Sequence, residues 1–137
     1  MQFKFEVEGG NFVKAGFASS EVKKILKQLS IDATIIKRVV VALYEGEVNV
    51  VAHANSGLVF VDINDKQIYI RIDDKGPGIP DISLAMKEGY STASESVREM
   101  GFGAGMGLPN IKRNTDWLDI KSVVGEGTTL EMKTNFM

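Results

Sequence analysis

The sequence contains no cysteine, although it is 137 residues long. This absence excludes disulfide bonds, thiolate metal sites and a cysteine nucleophile. It is also consistent with a reducing compartment, and we expect the protein to be cytoplasmic.

Strong charge and long apolar runs are missing as well. The net charge of −2 argues against a nucleic-acid partner and against binding to an anionic membrane surface. No apolar stretch approaches the length that spans a bilayer, and the N-terminus MQFKFEVEGG lacks the apolar segment of a signal peptide. The length and the apolar content of 44% suit one domain, residues 1–137, with a single hydrophobic core.

The N-terminal part of the chain predicts one strand and two helices. Apolar residues alternate in FKFEVE, which predicts a strand. They recur at helical spacing over 13–29, which predicts a helix, and Ser19 or Ser20 could cap a helix start that lies inside this range. A second helix is predicted to begin after Asp32 and to run to about Ala54. It is so apolar that we expect it to be buried on most sides.

The rest of the chain predicts two hairpins. LVFVDI and QIYIRIDD turn at 64–66, and LDIKSVVGEGTTLEMKTNF turns at 125–127. Between the hairpins we expect a short helix over 81–89, a mobile polar loop over 90–105 and a helix over 107–115. Hairpins with few helices indicate an α+β fold, a two-layer sandwich in which helices cover one face of a mixed sheet.

Three polar residues recur at helical spacing on the apolar second helix. Glu45, Asn49 and His53 are four positions apart, so they lie on one helical face. That face is either turned to solvent or part of a site, and the neighbouring valines leave little width for a solvated stripe. Gly46 costs roughly 1 kcal/mol relative to alanine inside a helix. It indicates either a close approach by a ligand or tight helix packing.

An inward-facing carboxylate ends the second strand of the first hairpin. Asp74 continues the face of the strand's isoleucines, whereas Asp73 lies on the opposite face. Because Gly76 and Gly78 follow, Asp74 belongs either to an ordinary β-turn or to a binding site. Thr128 also faces inward, at the start of the last strand, where threonine is common for its β-propensity alone.

The segment GFGAGMGLPNI, residues 101–111, has glycine at four alternate positions. A glycine loop that leads into a helix lets a phosphate approach backbone N–H groups, although a merely flexible loop has the same composition. The segment is not a Walker loop, because G-x-x-x-x-G-K-[ST] does not occur. It is not the dinucleotide fingerprint either, because Leu108 stands where the third glycine is needed and no strand leads directly into it.

Four of these motifs together resemble those of the GHKL (Bergerat-fold) ATPases, in the same order and over nearly the whole chain. They are ALYEGEVNVVAH, DDKGPGI, GFGAGMGLPNIKR and GEGTTLEM. The resemblance implies a two-layer α/β sandwich with a mixed, mostly antiparallel sheet and an ATP lid from about Gly89 to Met106. GYST and GMGLPNIKR are most similar to the anti-sigma-factor and RsbT-like switch-kinase branch, whose small serine/threonine kinases phosphorylate STAS-domain antagonist proteins.

The resemblance implies roles for the matched residues. Glu45 would be catalytic and would orient or deprotonate the attacking hydroxyl, while Asn49 would hold Mg²⁺ together with the triphosphate oxygens of ATP. Asp74 would accept a hydrogen bond from the adenine amino group, and Thr128 would support that contact. The other implied ATP-binding residues lie in the two glycine motifs: Gly76, Gly78, Ile79, Gly103, Gly105, Met106, Gly107 and Leu108.

The implied partner is a STAS-domain substrate, and two other functions stay open. One is a nucleotide-gated protein that sequesters a sigma factor or activates another regulator by contact. The other is a plain ATPase without a protein substrate. The resemblance to sigma-binding members of the branch also implies a homodimer. The candidates for contact with the γ-phosphate of ATP are Lys75, Arg98 and Lys112.

Overall fold

The computed structural model describes residues 1–87 and 107–137. The strands are β1 (Gln2–Glu8), β2 (Ser56–Ile63), β3 (Gln67–Lys75), β4 (Trp117–Val123) and β5 (Gly127–Asn135). The helices are α1 (Phe17–Gln28), α2 (Ala33–His53), the short α3 (Ile82–Ala85) and α4 (Gly107–Arg113), with a 3₁₀ turn at Phe12–Lys14. The predicted order of elements is therefore confirmed, while the loop over 90–105 and the lid over 89–106 lie outside the described residues.

The five strands form one open sheet in the order β1-β2-β3-β5-β4. Every pairing is antiparallel, so the expected mixed sheet is wrong for the described strands. The physical reason is that β2–β3 and β4–β5 are hairpins, while β2 runs back beside β1 and β5 runs back beside β3, so no parallel crossover is made. The order places β3 and β5 side by side. The end of β3, with Asp74, therefore lies beside the start of β5, with Thr128.

The helices cover one face of the sheet and form the core with it. Ile68, Ile70 and Ile72 of β3 are buried on that face, as the alternation predicts, and α2 packs over them. A Cβ atom at Gly46 would collide with the Cδ1 methyl of Ile72. The glycine in α2 is thus explained by close packing of helix on sheet, the second of the two readings that the sequence allowed.

A buried glutamate fixes the start of α1. Glu47 of α2 is 1% exposed, and its two carboxylate oxygens accept hydrogen bonds from the backbone N–H groups of Gly16, Ala18 and Ser19 at 2.7–3.2 Å. These are the N–H groups that a helix start leaves without partners. The prediction that Ser19 or Ser20 caps the helix is therefore wrong, because α1 begins at Phe17 and takes its cap from α2.

None of the helices in 1–87 and 107–137 combines the length and the apolar character needed to cross a membrane.

Candidate functional site

The centre of the sheet ends in a polar corner built from β3 and β5. Asp74 Oδ1 accepts a hydrogen bond of 3.0 Å from the backbone N–H of Thr128. Asp74 Oδ2 makes no hydrogen bond within the described part of the chain, so one carboxylate oxygen is left to accept from a ligand. Gly127 lies so close that a Cβ atom there would collide with the carbonyl oxygen of Asp74. The corner is therefore tight, and Asp74 lies within β3 rather than in the turn that follows it.

The Asp74 carboxylate is half-buried, and this changes its protonation. Burial is the largest effect and raises the pKa of Asp74, because a charged carboxylate loses hydration. The hydrogen bond from the Thr128 N–H lowers the pKa, and the negative charge of Asp73 raises it further. The net direction is upward, which makes Asp74 a costly residue to keep for structure alone.

Ser122, which the sequence analysis did not single out, lies in the same corner. It stands opposite Thr128 in the β4–β5 pair, and the two hydroxyl oxygens are 2.9 Å apart. Ser122 Oγ also accepts a hydrogen bond of 2.7 Å from the Ile79 N–H and lies 3.1 Å from the Gly127 carbonyl oxygen. The strand pairing around the predicted turn at 125–127 is the signal that could have located it.

The segment 74–78, which forms the D-x-G-x-G pattern within DDKGPGI, is fixed against both α2 and the β4–β5 hairpin. A Cβ atom at Gly76 would lie 2.9 Å from the Cα of Ala54, directly after the end of α2. Gly78 has a φ of +75°, a conformation that favours glycine. The Gly76 N–H donates to the Glu126 carbonyl at 3.1 Å, and the Pro77 carbonyl accepts from the Gly125 N–H at 2.9 Å. The turn therefore joins the Asp74 corner to the C-terminal end of α2.

The predicted pair on α2 faces helix α4. A Cβ atom at Gly107 would lie 3.2 Å from Asn49 Oδ1 and 3.5 Å from Glu45 Oε2, so the two side chains converge on a bare stretch of backbone. Asn110, also missed from the sequence, donates from Nδ2 to Glu45 Oε1 at 3.4 Å. Both Glu45 and Asn49 are half-buried rather than turned to solvent. Within the motif GLPNIKR, nothing in the sequence distinguishes Asn110 from its neighbours.

The two parts of the site lie along one helix. Glu45 and Asn49 are one turn apart on α2, and Ala54, beside the D-x-G-x-G turn, follows after about 13 Å of helical rise from Glu45. Between them lies His53, whose pKa is lowered by burial, so the imidazole is neutral at pH 7. Polar groups thus stand at two points along α2, with the Asp74 corner at its C-terminal end and Glu45 and Asn49 further back.

The remaining sequence-predicted residues are placed as follows. Gly103, Gly105, Met106 and Arg98 lie outside the described residues, so nothing tests their roles. The side chain of Leu108 is buried in the hydrophobic core, and Lys75 and Lys112 are exposed. The described residues include no group of three His, Cys, Asp or Glu side chains that could hold a metal ion. Among the described residues, Asn49 offers one amide oxygen, a ligand type that suits a hard cation.

Comparison with known proteins identifies the family. Residues 14–134 match the model of the histidine kinase-like ATPase domain. The chain belongs to this family. An ATPase domain of this kind implies ATP binding, which agrees with the four motifs and their order along the sequence.

Two relatives indicate which group of histidine kinase-like ATPase domains this chain resembles. The serine/threonine-protein kinase RsbT of Bacillus subtilis is 33% identical over 113 residues, which are 80% of this chain and 79% of that protein. The anti-sigma F factor of Caldanaerobacter subterraneus subsp. tengcongensis is 30% identical over 137 residues, which are 96% of this chain and 90% of that protein. The domain therefore falls in the switch-kinase and anti-sigma group.

Solved structures support the fold. The RsbU and RsbW domains of a Mycobacterium tuberculosis protein match the whole chain with a TM-score of 0.64 at 13% identity, and the chain spans 36% of that structure's length. The mycobacterial sensor histidine kinase MprB matches 98% of the chain and 97% of its own length, with a TM-score of 0.54 at 16% identity. At these identities the similarity concerns the fold of the ATPase domain alone.

Proposed function

We propose that the protein is a Mg²⁺-ATP-dependent serine/threonine kinase that phosphorylates a STAS-domain partner in a bacterial partner-switching pathway. The observation that carries the proposal is the convergence of Glu45 and Asn49 on the bare backbone of Gly107, on the helix that ends at the Asp74 corner. The similarity to a serine/threonine kinase over 80% of the chain supports the same reaction class.

Asp74 and Thr128 recognise the base in this proposal. Asp74 Oδ2, which has no partner in 1–87 and 107–137, accepts a hydrogen bond from the adenine amino group, and the Thr128 N–H holds the other oxygen in place. Gly76 and Gly78 keep the turn free of side chains beside the base. A carboxylate whose pKa is raised by burial gains from such a donor, because the ligand replaces part of its lost hydration.

Asn49 and Glu45 act at the phosphate end. Asn49 offers an amide oxygen, a ligand type that suits Mg²⁺ together with phosphate oxygens, and the bound ion would offset the charge of the triphosphate. Glu45 accepts the proton of the partner's serine or threonine hydroxyl. The hydroxyl oxygen then forms a bond to the γ-phosphorus while the bond to the β–γ bridging oxygen breaks, and ADP leaves.

The test is transfer of radiolabelled γ-phosphate to purified STAS-domain proteins from the same genome. Glu45→Ala should reduce transfer at least about 100-fold, in the range for loss of a general base, while ATP affinity measured by calorimetry stays within about twofold. Glu6→Ala removes an exposed carboxylate of β1 and is the matched control. Transfer that persists in Glu45→Ala would contradict the role of Glu45.

A second function is favoured by the similarity to anti-sigma F factors over almost the full chain. In this alternative the protein binds a sigma factor, and the nucleotide controls the contact. Glu45→Ala would then still retain the sigma factor on a column in the presence of ATP. A sigma factor retained by both wild-type protein and Glu45→Ala, with no STAS protein labelled, would favour sequestration over the kinase.

A further inference from the structure

Ser122 Oγ lies within hydrogen-bond distance of three groups in the polar corner. They are the Ile79 N–H at 2.7 Å, Thr128 Oγ1 at 2.9 Å and the Gly127 carbonyl oxygen at 3.1 Å. The Ile79 N–H is only a donor and the Gly127 carbonyl is only an acceptor. Because Ser122 has a single hydroxyl proton, that proton goes to Gly127, and Thr128 must then donate its own hydroxyl proton to Ser122.

This arrangement makes all three contacts at once, and it engages three donors of the corner. The Thr128 hydroxyl proton and the Ile79 N–H are bound by Ser122, and the Thr128 N–H is bound by Asp74 Oδ1. What remains for a ligand are the lone pairs of Thr128 Oγ1 and the second carboxylate oxygen of Asp74. Asp74 and Thr128 therefore offer a ligand only acceptors, and a ligand that bonds to them must bring its own N–H donors.

We propose that Ser122 is a positioning residue that sets the base specificity of the site, favouring a 6-aminopurine over a 6-oxopurine. The inference rests on the proposed nucleotide site and adds a residue that does not itself contact the base. A 6-amino group supplies donors to the acceptors of the corner. A 6-oxo group would face them with another acceptor, and an unpaired buried acceptor is costly.

The experiment compares the Kd values of Mg-ATP and Mg-ITP by calorimetry, using the full chain. Inosine differs from adenosine by the 6-oxo group and the N1 proton that goes with it. Ser122→Ala frees the Thr128 hydroxyl and the Ile79 N–H to donate, so the ITP/ATP ratio of Kd values should fall about tenfold relative to wild type. Ser122→Thr keeps a hydroxyl at this position and should restore the wild-type ratio.

A merely structural role of Ser122 would weaken the binding of both nucleotides alike. Because the ITP/ATP ratio of Kd values is measured within each variant, such a general loss of affinity cancels. Ser122→Cys is nearly the same size with a weak acceptor, and it should lower the ratio in the same direction if Ser122→Ala does not fold. A wild-type ratio in folded Ser122→Ala, or in Ser122→Cys, would overturn the inference alone. Failure of the wild-type protein to bind ATP would overturn the proposed function and this inference with it.

Discussion

Asp74 and Thr128, at the facing ends of the two central strands, are joined by a hydrogen bond of 3.0 Å from the Thr128 N–H to Asp74 Oδ1. The bond orients a carboxylate that burial makes costly to ionise, and it leaves the other oxygen unpaired within the described residues. Thr128 is 9% exposed, so the orientation is held on the buried side of the corner. A residue that is unfavourable for the fold but well oriented is typical of a binding group.

The first prediction concerns Asp74→Asn, which should weaken ATP binding by roughly 10-fold to 100-fold, the range for a hydrogen bond to a charged group. The amide keeps an oxygen for the Thr128 N–H but turns an N–H₂ donor toward the adenine amino group. Calorimetry with and without Mg²⁺ measures the loss. Undiminished binding would show that Asp74 does not contact the base.

The same substitution should raise the free energy of unfolding of the nucleotide-free protein at neutral pH. The folded-state pKa of Asp74 lies above its usual value of 3.8, so the contribution of this group to stability is complete below pH 3.8 and is lost as pH rises through the folded pKa. The gain from Asp74→Asn should therefore be largest near pH 7 and should shrink as pH falls through the folded-state pKa toward 3.8 in urea titrations. Asp62→Asn, on an exposed position of β2, is the control for loss of one carboxylate.

The second prediction is that Glu47→Gln destabilises the fold by about 2 kcal/mol or more. A glutamine has one acceptor oxygen for three backbone N–H donors, and its amide N–H₂ would face one of them. Burial raises the pKa of Glu47, so removal of the buried charge offsets part of this cost. Urea denaturation measures the change, with the exposed Glu6→Gln expected to stay within about 0.5 kcal/mol of wild type. Equal stability of the two variants would refute the capping role.

The role of Glu47 marks the limit of sequence reasoning for this fold. Local spacing predicted the helices, the hairpins and the inward phase of Asp74 and Thr128, because these depend on periods of 3.6 and 2 along the chain. The Glu47 contacts join residues 28–31 positions apart. Such contacts depend on how α1 packs on α2, and a serine near the helix start was the better local signal.

The third prediction uses Gly46 and Ile72. Gly46→Ala gains up to about 1 kcal/mol of helix propensity but overpacks the core against the Ile72 Cδ1 methyl, which costs about 1–3 kcal/mol. We therefore expect the single variant to be neutral or destabilised. In an Ile72→Val background, where that methyl is absent, the same change should be stabilising. A double-mutant cycle by urea denaturation measures this coupling, and additive effects would mean that the glycine serves something other than packing.

In the candidate site too, motifs in the sequence predict some residues, and others are found only from the packing of the elements. Glu45, Asn49 and Gly107 were predicted from motif order, and the structure brings them together. Asn110 and Ser122 were missed, since each acts through a neighbour rather than through a motif of its own. Asn110 reaches Glu45 from α4, 65 positions along the chain, which no spacing rule could have indicated.

The fourth prediction is that Asn110→Ala lowers the rate of phosphate transfer about tenfold, while the Kd for ATP changes by less than twofold. Asn110 donates a hydrogen bond to Glu45, the proposed general base. Its loss should therefore change the position of the Glu45 carboxylate rather than the binding of ATP. Asn110→Asp should slow transfer further at low pH, because a second carboxylate beside Glu45 favours protonation of the pair. Single-turnover assays across pH distinguish the two variants, and an equal loss in ATP affinity would point to a different role.

The fifth prediction concerns Gly107, whose backbone lies against Asn49 and Glu45. The methyl group of Gly107→Ala would sit 3.2 Å from Asn49 Oδ1, close enough to push the amide aside. Because alanine is favourable in a helix, the nucleotide-free protein should be at least as stable as wild type. The affinity for Mg-ATP should nevertheless fall about tenfold, while the smaller affinity for ATP measured in EDTA should change less. A parallel loss with and without Mg²⁺ would argue that Gly107 shapes the phosphate site directly and that Asn49 is not the cation ligand.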